Sequence, residues 1–459
     1  MVDGVEARVS DGGWRWTGRP AMNESRKLRL FAVFILYVAQ GVPIGLFWFA
    51  IPAWMAANGA TAGDVAYVLG LTALPWSLKL VNGFIMDRYT FLAMGRRRVW
   101  LIGAQLLMIA LLIGCALLEP GVKDIVLLGA VGFAVNAATT FQDVAVDGLA
   151  VDIMEEEERS RASGMMFGGQ SIGMSLSTAL SGAAIVAYGP SAAYLLSALF
   201  IGVVTLFVMT TRERVGERLL PWTGGGAHGA NLAIQARSWW PILKSTFTAI
   251  IRPLSLLYLP ILLVKGMQYG VLTGGTPLIA TGSGGWTEGQ VTAIVGIGQM
   301  VGGIAGMTIG GFLGDKWGAK FASTLFFSCW LALNATMFLG QALWADSQFL
   351  TMFIIIWLVL DTLITVATLP IAMRLCNRTV AATQFTLYMA LSNFGITMGA
   401  ALLGLADRLG GIASLFGLLA IANIAAIAIM LVVRFPTRQI DHRTAEQLPQ
   451  GEGLAPAVN

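Results

Sequence analysis

The chain has 459 residues, of which 56% are hydrophobic and only 12% charged. So little charge cannot cover the surface of soluble domains of that total length, which excludes a water-soluble enzyme. A net charge of +4 gives no basic patch for nucleic acid, and three cysteines, Cys115, Cys329 and Cys376, make no disulfide framework.

Crossing a bilayer takes about 20 mostly apolar residues. Runs of that kind recur along nearly the whole sequence and predict twelve spans. In the first half these are 28–54, 64–86, 99–118, 125–151, 162–187 and 192–209. In the second half they are 254–280, 291–313, 321–339, 349–373, 380–405 and 412–433. The expected organisation is a polar tail over 1–27, a six-helix bundle over 28–210, a linker over 211–251, a second bundle over 252–433 and a tail over 434–459. No short apolar core with a small-residue cleavage site precedes the first span, so that span is expected to be retained. The linker predicts an interfacial helix around Trp239 and Trp240.

Basic residues orient these spans. Of 29 Lys and Arg, 25 fall on one face, counting Arg29 at the start of the first span. Lys123 and Arg408 fall on the other, and Lys79 and Lys265 lie within spans. By the positive-inside rule both termini and the linker are cytoplasmic.

Between spans two and three the chain reads Gly83-x-x-x-Asp87-Arg88, followed by Gly95-Arg96-Arg97-Arg98. After span eight it reads Gly311-x-x-x-Asp315-Lys316-x-Gly318-x-Lys320, with the two aspartates 228 residues apart. A repeat at half the chain length predicts two bundles related by an axis along the membrane normal, with a site between them. The glycines allow close helix approach, the aspartates can pair with a neighbouring helix end, and Arg88, Arg96, Arg97 and Lys316 can grip carboxylates.

This repeated element resembles the cytoplasmic loop signature of the major facilitator superfamily, although the first copy carries six residues, 89–94, where one is usual before the glycine. Three further segments are similar to AmpG-type muropeptide permeases and acetyl-CoA transporters: Trp76-Ser77-Leu78-Lys79-Leu80, Gln142-Asp143-x-x-x-Asp147-x-x-x-x-Asp152, and Ala382-Thr383-Gln384-Phe385-Thr386-Leu387 with Ser392-Asn393. Siderophore permeases share parts of the pattern. The resemblance implies an all-α integral membrane protein of twelve helices in two pseudo-symmetric bundles. It also implies a proton-coupled symporter for a bulky polar solute such as a muropeptide, monomeric in the bacterial inner membrane. An acyl-CoA or siderophore carrier is the alternative within that class. A membrane sensor or membrane-embedded enzyme is the rival class.

Five ionisable residues fall inside spans: Lys79, Asp143, Asp147, Lys265 and Asp361. Each costs about 2.5–3.5 kcal/mol at the bilayer centre if left to lipid, so they must pair or face a polar cavity. Asp143 and Asp147 share a helix face and cannot both ionise without repulsion, which suits them to carry a proton, with Lys79 as the expected partner. A static Lys79–aspartate pair that only fixes packing is the competing reading. Lys265 and Asp361 are expected to pair with each other or to meet substrate charge. By resemblance, Gln40, Gln268, Tyr269, Gln384, Tyr388 and Asn393 line the cavity; each could equally be an interhelical hydrogen bond. His228 and His442 lie outside the spans, no metal cluster or cofactor motif is seen, and the sequence has no Gly-x-x-x-x-Gly-Lys-(Ser/Thr) for ATP. The expected partners are lipid, a small solute and protons. Glycines at every fourth position from Gly298 to Gly314 predict a close packing seam.

Overall fold

The computed structural model describes residues 21–60, 62–234, 238–286, 288–376 and 380–436. Most of both expected tails, with His442, lies outside them. Apolar sequence that must satisfy its own backbone in lipid can do so only as helix or closed barrel. Here it is helix throughout.

We number the crossing helices α1–α12. Helix α1 begins as Arg26–Gly45 and runs through a π-helical turn, Leu46–Ala50, into Ile51–Ala57. The turn lies between Pro43 and Pro52, where missing backbone donors loosen the ladder. Helix α2 is broken: Tyr67–Leu78 and Leu80–Arg88 meet at 44°, with Lys79 at the bend. Pro75, one turn earlier, removes another donor. The half continues with α3 (Arg98–Leu118), α4 (Ile125–Ile153), α5 (Arg159–Tyr188) and α6 (Pro190–Thr210).

The second half comprises α7 (Pro253–Gly282), α8, α9 (Ala319–Leu339), α10 (Ser347–Leu375), α11 (Ala381–Gly404) and α12 (Ile412–Val432). Helix α8 joins Glu288–Ala305 to Gly311–Trp317 through a second π-helical turn at Gly306–Gly310. Eleven of these helices are long and apolar enough to cross a membrane on their own, and bent α2 makes the twelfth if its two segments are one span.

Helix pairing repeats between the halves. Helix α1 packs on α5, α2 on α4 and α3 on α6; six helices later, α7 packs on α11, α8 on α10 and α9 on α12. The halves meet mainly where α5 packs against α8 and α10, and where α2 and α4 pack against α11. Glycines permit this approach. A Cβ on Gly83 would stand 2.9 Å from the Thr383 backbone, and one on Gly311 would stand 3.2 Å from Arg161. The α8 glycines divide their seam: Gly298, Gly302 and Gly310 meet α10, while Gly303 meets α5.

The linker is pinned to the first half. Arg98 donates to the carbonyls of Val208 and Met209 at the end of α6 and to those of Met94, Arg218 and Leu219. Glu213 accepts the backbone N–H of Arg97 at 2.9 Å and of Arg98 at 3.3 Å, capping α3. A helix forms at the expected place in the linker, over Trp239–Ile250. Its Ile242 is buried with Phe84 of α2 and Val380 ahead of α11, while Trp240 and Phe247 are exposed.

Candidate functional site

On the linker face, the last turn of α2 carries Asp87, whose Oδ2 accepts both the backbone N–H and the hydroxyl of Thr383 at 2.9 Å. A carboxylate from one half thus caps the first turn of α11 in the other, where helix donors have no internal partner. The same carboxylate meets Arg97 at 2.8 Å and Arg96 at 3.3 Å, and both arginines also bind Asp152. All four charged side chains are fully buried. Burial opposes the Arg97 charge, but Asp152 and Asp87 outweigh it and raise its pKa. The Arg96 pKa falls, through burial and then the neighbouring Arg97 charge.

The second copy of the motif works differently. Asp315 reaches across to Arg161 at 2.9 Å and Arg26 at 4.0 Å, and Arg374 reaches Glu156 at 3.3 Å. Among the described residues Lys316 grips no carboxylate; it lies over the rings of Phe312 and Trp317. Gly318 has φ +86°, a conformation that admits the sharp α8–α9 turn. Arg88 stacks on Tyr89 at 4.8 Å. These contacts hold the linker face closed.

Deeper in the first half, α1, α2 and α4 build one charged cluster. Lys79, at the bend of α2, lies 3.1 Å from Asp143 of α4 and 5.9 Å from the Trp76 ring. Gln40 of α1 donates to the other Asp143 oxygen at 2.7 Å. One turn along α4, Asp147 accepts the Tyr37 hydroxyl. Lys79, Asp143, Asp147, Gln40 and Tyr37 are all buried. Sequence reasoning missed Tyr37, although its position three residues before Gln40 puts both on one face of α1. It also quoted Thr383 without seeing the cap it completes.

The second half is arranged otherwise. Lys265 of α7 and Asp361 of α10 are half-buried and act on each other electrostatically. Among the described residues no carboxylate lies within 4.0 Å of the Lys265 ammonium. Among the described residues Asp361 Oδ1 has no hydrogen-bond partner. Lys265 also senses Lys79 from the opposite half. Tyr269, one turn from Lys265, is within reach of the Asp361 charge and lies 6.3 Å from the Trp357 ring.

The other residues expected to line a cavity have these surroundings. Gln268 is fully buried and joins α7 to α9 and α12 through Asn334 at 2.9 and 3.1 Å and Asn423 at 3.1 Å. Tyr388 is buried against Tyr258, with its hydroxyl 2.8 Å from Ser255. Gln384 is buried in the first turn of α11, and Asn393 is exposed.

Two bundles with a repeated helix pairing, joined by ion pairs at one face and holding charge at depth, have the architecture of a membrane transporter. The match to the family model described as Major Facilitator Superfamily extends over residues 31–400, and the chain belongs to that superfamily. It is an integral membrane transporter rather than an enzyme. The chain is 28% identical over 163 residues to the anhydromuropeptide permease of Escherichia coli, covering 34% of this chain and 33% of that protein. It is 28% identical over 193 residues to the Rickettsia felis protein AmpG 4, covering 40% of this chain and 46% of that one. The aligned segments therefore span less than half of these relatives. Among solved structures, the outward conformation of the facilitator transporter FucP superposes with a TM-score of 0.66 at 12% identity, covering 88% of this chain and 98% of that one. The human organic anion transporter MFSD10 gives 0.65 at 13% identity, covering 87% and 98%.

Proposed function

We infer that the chain is a proton-coupled symporter that moves a bulky polar solute of the muropeptide class by alternating access, with the linker face and both termini cytoplasmic in a bacterial inner membrane. The observation that carries the coupling is the buried cluster of one ammonium and two carboxylates. With all three ionised it has one negative charge in excess at membrane depth, and one proton makes it neutral. Lys79 and Gln40 already satisfy Asp143. Asp147 has the Tyr37 hydroxyl instead, so Asp147 carries the proton and Lys79–Asp143 sets the local field. The named permease relative supports the solute class, and the excess of basic residues on the linker face supports the orientation.

Alternating access then requires release of Asp87 from Thr383 and of the Asp315–Arg161 and Arg374–Glu156 pairs. The reading is tested in proteoliposomes loaded for uptake of a labelled anhydromuropeptide under an imposed pH gradient. Asp147→Asn should lose accumulation against a gradient while keeping solute counterflow. Accumulation that remains fully gradient-driven in both Asp147→Asn and Asp143→Asn overturns the proton role.

A further inference from the structure

We propose that Lys265 and Asp361 seat a zwitterionic group of the solute, its carboxylate at Lys265 and its ammonium at Asp361. This deepens the transport reading above and rests on it. A charge at membrane depth is costly unless something meets it. The first-half cluster has met that demand internally through Lys79, Gln40 and Tyr37. The second half has not. Its cation and anion sit on different helices, α7 and α10, sense each other, and make no ion pair within 4.0 Å among the described residues. The orphaned Asp361 Oδ1 is a buried acceptor waiting for a donor. A gap between two fixed opposite charges is matched by a ligand that brings both signs at once.

The orientation follows from the signs. The Lys265 ammonium takes the solute carboxylate, a charged donor meeting a charged acceptor. The Asp361 carboxylate takes the solute ammonium, and among the described residues Lys265 is the charged group that acts on it. Hydrogen-bonded charge pairs of this type are the stronger polar contacts available to a site.

The test uses purified full-length protein in nanodiscs and three probes: alanyl-alanine, its N-acetyl derivative and its C-terminal amide. Binding is read by equilibrium dialysis. The free dipeptide should bind at least about tenfold more tightly than either blocked form. Lys265→Gln should erase the preference for acid over amide and leave the preference for free amine. Asp361→Asn should do the reverse, and Lys265→Arg should keep the wild-type pattern. Equal binding of all three probes, or no saturable binding of any, overturns the proposal. Loss of gradient-driven uptake in otherwise charge-selective protein would instead remove the proton reading alone.

Discussion

The two halves share a helix-pairing scheme and treat charge in opposite ways. In the first, Lys79, Asp143 and Asp147 are buried and locked to side chains of three helices. In the second, neutral amides join α7 to α9 and α12, Gln268 with Asn334 and Asn423, while Lys265 and Asp361 make no ion pair within 4.0 Å among the described residues. A repeated fold thus separates two tasks. Charge fixes and couples in one half, and amides fix the other so that its charges are left for a ligand.

The strongest way to break that comparison is to remove Lys79. Lys79→Met leaves Asp143 buried beside Asp147 with only Gln40 to hold it, and stripping one partner from a buried ion pair costs about 3–5 kcal/mol. Equilibrium unfolding in mixed micelles should show that loss, and Lys79→Met with Asp143→Asn should recover most of it. An unchanged unfolding midpoint in the single variant would mean that the first-half charges do not support the fold.

Much of this division was legible in the sequence, because lipid makes every intramembrane charge conspicuous. The eleven or twelve spans and the repeat followed from apolar runs and spacing, and Lys79 was expected beside the Asp143/Asp147 pair, though which aspartate it meets was not. What did not follow depends on rotation and depth. Gln268 and Tyr269 are adjacent in sequence, yet one joins a buried amide network and the other lies near Asp361, and no periodicity assigns an amide to a neighbour rather than to a cavity. Tyr37 escaped because a phenol in an apolar helix looks like packing. Glu213 escaped because the linker reads as polar filler, whereas it caps α3, and Arg98 escaped because a loop arginine reads as positive-inside charge, whereas it caps the end of α6.

Next in size is Gln268→Ala, which strands Asn334 and Asn423 in the apolar interior. Leaving buried amides unsatisfied should cost about 1–2 kcal/mol, at the upper range for membrane interiors. A cycle with Asn334→Ala should show the two losses to be less than additive. Solute KM should stay within about twofold of wild type, given that the network lies outside the charged site. A large KM change with unaltered stability would return Gln268 to the cavity.

A smaller effect is confined to the linker. Glu217 accepts from the Arg214 N–H and from Asn231, and burial followed by the Glu213 charge pushes its pKa from 4.5 up to about 8, against Arg214 and Arg98. A carboxyl raised in the folded state favours the docked linker fully below its ordinary pKa, and the contribution fades as pH rises through about 8. Hydrogen exchange over 212–234, corrected for intrinsic rates, should therefore quicken across that interval and level off above it. Glu217→Gln should flatten the dependence. A linker that tightens with rising pH contradicts the assignment.

The smallest expected effect is the sharpest complement to Lys79→Met. Lys265→Met removes a half-buried ammonium that has no ion pair within 4.0 Å among the described residues, so little attraction is lost and a desolvation cost disappears. Unfolding free energy should change by less than about 1 kcal/mol, with a rise as acceptable as a fall. Asp361→Asn should behave likewise, and the double variant should be additive to within about 0.5 kcal/mol if no direct contact joins them. Both variants should nonetheless weaken solute binding. Removing a lysine from one half would then unfold the protein, and removing a lysine from the other would only empty it. A loss near that of Lys79→Met would instead show Lys265 and Asp361 to be a second structural pair, and the contrast between the halves would fall.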